Sequence, residues 1–187
     1  MDNSDIIKVL MKQIAQNDAD AFAKFYDLFY IKIYRFSTYF LKSDELCQEV
    51  VSDVFLSIWQ TRARLLQIEN IEAYLYTSTR HRALYYLNQS SQKNNVALSD
   101  IPVGIVANVD NPEEIVLTEE LREEIAKSIK ELPERCRLIF LMAKEEGLKY
   151  REIADILSIS EKTVNAQMVT AIKRIGEALK KYLSVFF

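Results

Sequence analysis

The chain has 187 residues, 49% apolar and 27% charged, with three Gly, three Pro and a formal net charge of -3. That length bounds the answer to one or two domains, and the composition is that of a folded globular protein rather than a disordered one. No apolar run approaches the roughly 18 residues a membrane span needs, and Met1 is followed by Asp2 and Asp5 rather than a leader pattern, so a cytoplasmic protein without direct membrane insertion is expected.

Ile6, Ile7, Leu10, Met11 and Ile14 recur at helical steps and predict a short amphipathic helix ending near Asn17 and Asp18. Phe22, Phe25, Tyr26, Phe29, Tyr30, Ile33, Phe36, Tyr39 and Phe40 follow at three- and four-residue intervals. That spacing predicts a long aromatic helix whose rings pack in a core. Ser43 before Asp44 and Glu45 is an N-cap with acids in the first turn, where they meet the positive end of the helix dipole. The helix it opens runs to Trp59. Gln60 to Asn70 is polar and carries Arg62 and Arg64, and a further helix is expected from Ile71 to Leu87. Periodicity fails from Gln89 to Asp110, where Ser90, Ser91, Asn94, Asn95, Pro102, Gly104 and Asn108 mark an interdomain linker.

Asn111, Pro112, Glu113 and Glu114 restart helix, with an N-cap, proline at the first helical position and acids after it. Leu117, Leu121, Ile125, Ile129 and Leu132 form its buried stripe. Pro133 ends it and opens another helix with Cys136, Ile139, Phe140 and Met142 or Ala143 inward, stopping at Gly147. Lys149 to Ile175 then reads as a helix-turn-helix, in which the small Ala154 lets two helices cross closely. Ile153, Leu157 and Ile159 supply one apolar face, and Val164, Met168 and Ala171 the face packed on it. Lys162, Thr163, Asn165, Gln167 and Thr170 are left pointing outward, side chains suited to base edges and phosphates. The expected fold class is therefore all-α: two helical domains joined by a flexible linker, the second holding the helix-turn-helix. The expected boundaries are 1–89, 90–110 and 111–187.

Nothing in the residues supports catalysis. Cys47 and Cys136 each fall within an apolar helical pattern, and the single His81 cannot build a metal site with them, so no metal and no cofactor is expected. Net acidity argues at first sight against a nucleic-acid binder, but its distribution does not. Between Lys149 and Lys181 lie Lys149, Arg151, Lys162, Lys173, Arg174, Lys180 and Lys181, against four acids, and local charge is what displaces counterions from a phosphate backbone. On these grounds alone the chain fits a stand-alone operator-binding regulator, or a helical adaptor, as well as anything more specialised.

Two blocks narrow the choice. SDELCQEVVSDVFLSIW (Ser43 to Trp59) with IEAYLYTSTRHRALYYL (Ile71 to Leu87), and LPERCRLIFLMAKEEGLKYREIADILSISEKTV (Leu132 to Val164), stand in order and at a matching separation. Together they resemble the two domains of bacterial RNA polymerase sigma factors of the extracytoplasmic-function group. The resemblance implies a dissociable initiation subunit that carries core RNA polymerase to promoter DNA. Its first domain reads and opens the minus-ten element, its second reads the minus-thirty-five element, and an anti-sigma factor commonly restrains it.

By the same resemblance Glu49, Ser52 and Asp53 are the polymerase-binding positions, with Ser52 where the family usually has Gln. The minus-ten element falls to Asn70, Thr77, Arg80, His81, Tyr85 and Asn88, because holding unstacked bases needs flat or amide side chains beside positive charge. His81 stands where the family has Asn, and the tail after Leu87 lacks the family's arginines. The minus-thirty-five element falls to Lys162, Thr163, Asn165, Gln167, Thr170, Lys173 and Arg174, where Asn165, Gln167 and Thr170 replace the Lys or Arg of many relatives.

Overall fold

The computed structural model of the chain describes residues 3–91 and 119–184, and among these all regular structure is helical. The chain divides into two compact units, Met1–Ile101 and Pro102–Phe187. Ser90 and Ser91, expected to open the linker, belong to the helix that starts at Ile71, while the rest of the expected linker and the helix restart at Asn111 and Pro112 lie outside the described residues.

The first unit comprises α1 (Asn3–Ala15), α2 (Ala19–Thr38), α3 (Asp44–Gln60), a 3-10 helix (Arg62–Gln67) and α4 (Ile71–Ser91). The aromatic stripe forms its core as the spacing predicts. Phe25, Phe29, Ile33 and Phe36 are buried on α2, against Val50, Val54 and Phe55 of α3 and Leu75 and Tyr76 of α4. Asp18 does more than end α1. With Asn17 turned to a φ of 72°, its carboxylate accepts the Ala21 N–H at 2.9 Å and caps α2. Ser43 caps α3 as expected, accepting the Leu46 N–H at 3.2 Å, and its own hydroxyl donates to Glu45 at 2.6 Å. That second bond, ahead of the residue's own backbone, holds the Glu45 carboxyl below its usual range.

Two features were not expected. The polar stretch after α3 is a 3-10 helix, because Leu65 drops into the core while Arg62 pins the turn. Arg62 donates to the Asn17 side chain at 2.8 Å and to the Trp59 carbonyl at 2.7 Å, and lies 4.6 Å over the Trp59 ring. Secondly, α4 continues past Leu87 to Ser91, since no Gly or Pro interrupts it.

The second unit comprises α5 (Glu119–Lys130), α6 (Glu134–Lys144), α7 (Tyr150–Leu157) and α8 (Glu161–Leu183), with α8 packed on the other three. Leu132, Cys136 and Ala171 form a buried cluster with Phe140 and Ile175 against it. Arg137 is buried and donates from Nη1 to the Lys130 carbonyl at 2.6 Å, so a cation meets the negative end of α5. Gly147 has a φ of +68°, the left-handed conformation expected where α6 gives way to α7.

Candidate functional site

The helix-turn-helix closes through Ser158, Ile159 and Ser160. Lys149 N–H donates to the Glu152 carboxylate at 2.8 Å at the head of α7. Ser158 ends that helix in the left-handed region, φ 56° and ψ 49°, and Ile159 N–H returns to the Ala154 carbonyl at 2.9 Å. Ser160 then caps α8, accepting the Thr163 N–H at 3.0 Å. The apolar pairing is partly other than expected. Ile153, Ala154 and Ile156 are buried against Val164, Met168 and Ala171, whereas Leu157 and Ile159 are half-buried. The left-handed stop immediately after Leu157 leaves that residue at the rim and turns Ile156, three after Ile153, into the crossing.

A left-handed serine costs about 1–2 kcal/mol, and glycine there loses about 0.5–1 kcal/mol of chain entropy. Ser158→Gly is therefore expected to stabilise the second unit by roughly 0.5–1 kcal/mol. Urea unfolding of the full chain checks this, and a lowered midpoint would contradict it.

All seven residues expected to read the minus-thirty-five element lie on α8, but not equally presented. Lys162, Asn165, Thr170, Lys173 and Arg174 are exposed; Thr163 and Gln167 are half-buried. The Thr163 hydroxyl shares a 2.7 Å hydrogen bond with Ser160, and the Thr170 hydroxyl donates to the Ala166 carbonyl at 2.9 Å. The Lys173 ammonium lies 3.9 Å from Glu177, an exposed i,i+4 pair. Three residues absent from the sequence-based set share this outer surface: Ala166, Val169 and Ile172, the last two 59% and 55% exposed.

On α4, Thr77, His81, Tyr85 and Asn88 follow at steps of four, four and three and form one stripe, with Arg80 on its flank. His81, Tyr85 and Asn88 are exposed, while Thr77 and Arg80 are half-buried. The Tyr85 hydroxyl accepts from Gln89 at 2.6 Å. Asn70 caps the helix, its side chain accepting the Ala73 N–H at 3.0 Å. A stripe of amide, imidazole and phenol groups is the chemistry that stacks on and bonds to exposed bases.

Glu49, Ser52 and Asp53 border one groove on α3 with Glu45, Gln48 and, from α4, Tyr86. Glu49 and Ser52 are exposed, but Asp53 is engaged within the chain. The Tyr86 hydroxyl donates to Asp53 Oδ2 at 2.9 Å, and Arg82 Nη1 lies 3.6 Å from the same oxygen. Burial first, and then this bond, push the Tyr86 phenol above its ordinary range. No sequence pattern links positions 53, 82 and 86, so Tyr86 and Arg82 were invisible as members of this face.

Cys47 and Cys136 are both buried free thiols, and burial pushes each above its ordinary range, which keeps them protonated and inert. Among the described residues no group of three or more His, Cys, Asp or Glu could hold a metal, and no helix is long and apolar enough to cross a membrane.

Residues 25–92 match the family described as Sigma-70 region 2, and residues 122–175 match Sigma-70, region 4. The chain is 26% identical over 180 residues to an ECF RNA polymerase sigma factor SigK from Mycolicibacterium vanbaalenii, covering 96% of this chain and 90% of the relative. It is 24% identical over 182 residues to the ECF RNA polymerase sigma-E factor of Escherichia coli, covering 92% and 94%. Its fold is similar to CnrH, solved with the cytosolic domain of CnrY, at a TM-score of 0.58 and 16% identity over 92% of this chain and 96% of that one. The sigma factor RpoE of Bartonella quintana, solved with the anti-sigma factor NepR, gives 0.58 at 17% identity over 85% and 96%.

Proposed function

Because the chain belongs to the sigma-70 family of RNA polymerase initiation factors, in its extracytoplasmic-function group, we propose how its surfaces divide that work. The groove at Glu49, Ser52 and Asp53 binds core RNA polymerase. The α4 stripe of Thr77, His81, Tyr85 and Asn88, with Asn70 and Arg80, holds the opened minus-ten element. The outer face of α8 reads the minus-thirty-five element. What carries the reading is one arrangement: an acidic groove and a base-compatible stripe on adjacent helices of one unit, in a chain whose other unit presents a helix-turn-helix.

The chain works by binding, not by chemistry of its own. Each contact is weak alone, since the groove is solvent-exposed and the outer face of α8 carries few cations. Polymerase that holds both units makes the second DNA contact effectively intramolecular, so weak contacts suffice. A polymerase subunit of this kind acts in the cytoplasm. Two of the similar solved structures are complexes with a second protein, one of them an anti-sigma factor, and a restraining partner of that kind suits this chain.

In vitro transcription with core polymerase and a library of random promoters tests the reading. Addition of the chain is expected to yield RNAs whose templates share two sequence blocks. No chain-dependent RNA, or tight sequence-specific DNA binding by the chain alone at physiological salt, would contradict it.

A further inference from the structure

The recognition helix is short of the hydrogen-bonding groups its sequence promises. The Thr163 hydroxyl is engaged at the N-cap, and the Thr170 proton is given to the Ala166 carbonyl. Among the central outward positions of α8, Asn165 contributes an amide and Lys162 and Lys173 contribute long cations suited to phosphates. The surface between them is apolar. Val169 is 59% exposed, with Asn165 and Ala166 one turn before it and Ile172 and Lys173 one turn after. A β-branched residue lowers helix propensity and, more than half exposed, contributes little burial, so helix stability does not account for valine there.

Val169 lies nine residues beyond the Ser160 cap, about 13 Å along the axis of α8, and a major groove about 12 Å wide admits an α-helix. Flanking cations fit the phosphate rims on either side, and that charge complementarity selects DNA as the occupant. In the major groove the one apolar group a base pair displays is the thymine C5-methyl. We propose that Val169, with Ala166 and the Thr170 methyl beside it, reads thymine methyl groups in the minus-thirty-five element. The Asn165 amide supplies the hydrogen-bonded part of the same readout. This rests on the assignment of α8 to that element.

Deoxyuridine tests it, because it lacks the methyl and keeps every hydrogen-bonding edge of thymine. Promoter duplexes bearing the element selected by the holoenzyme are made with dT or dU at each position and titrated with holoenzyme assembled from the full chain. Burying one methyl corresponds to about a fourfold change in affinity. Wild type is expected to bind at least one dU duplex about fourfold more weakly. Val169→Ser is expected to lose that discrimination, and Val169→Ile to keep it. Equal binding of dT and dU duplexes by wild type at every position overturns the proposal, as does full discrimination by Val169→Ser. If either occurs while RNA is still initiated, the sigma-factor reading stands; if no RNA is made, both fall.

Discussion

Reversing Glu49 to lysine is expected to weaken association with core RNA polymerase on the order of a hundredfold, while Asp53→Asn changes it by less than about tenfold. The two acids border the same groove, yet they are not equivalent. Glu49 is exposed to a partner, and replacing it by a cation converts an attraction into like-charge repulsion at the same point. Asp53 already accepts the Tyr86 hydroxyl at 2.9 Å and has Arg82 at 3.6 Å, so a polymerase cation must compete for it. Asparagine at 53 still accepts from Tyr86 through its carbonyl oxygen, which leaves the packing of α3 on α4 intact. Anisotropy titration of the labelled chain with core polymerase measures both variants, and the Glu49 effect should shrink as salt rises. Wild-type affinity for Glu49→Lys would remove this face from the interface.

The second large effect is on stability. Phe36→Ala is expected to destabilise the first unit by about 3–5 kcal/mol, the range for truncating a fully buried aromatic. The Phe36 ring is completely buried and meets Tyr39, Phe40 and Tyr76 edge-on, with centroids 5.7, 5.3 and 4.8 Å away. Tyr76 belongs to α4, so the cavity loosens the helix that carries the minus-ten stripe. A unit of roughly 90 residues has about 5–13 kcal/mol in hand, so this one change removes a large share. Chemical denaturation of the full chain reads the loss, and promoter opening should fall with it. Tyr85→Ala is the control: that residue is 54% exposed and two positions from Leu87 on the same helix, and its removal should leave the midpoint in place. A Phe36→Ala midpoint equal to wild type would mean the aromatic stripe does not carry the core.

The helices were legible because their causes are local. Ser43 caps α3 with the acids beside it, Gly147 takes a left-handed φ, and the three- and four-residue recurrence from Phe25 to Phe36 becomes the buried face of α2. Where a local rule had two outcomes, the sequence alone chose poorly. Asp18 looked like a helix stop and is also the next helix's cap; Gln60 to Asn70 read only as a polar stretch and contains a 3-10 helix held by Arg62.

From its sequence alone the chain was determined to be helical, in two blocks, with a helix-turn-helix and with acids, aromatics and amides spaced to fall on helix surfaces. Those follow from periodicity and capping, which act within a few residues. Only the tertiary structure decided that Ile156 rather than Leu157 enters the crossing and that Asp53 is engaged by Tyr86 and Arg82. Each depends on which partner lies within about 3 Å of a polar atom or above an apolar one. That distance is set by how helices pack, and spacing along the chain does not encode it.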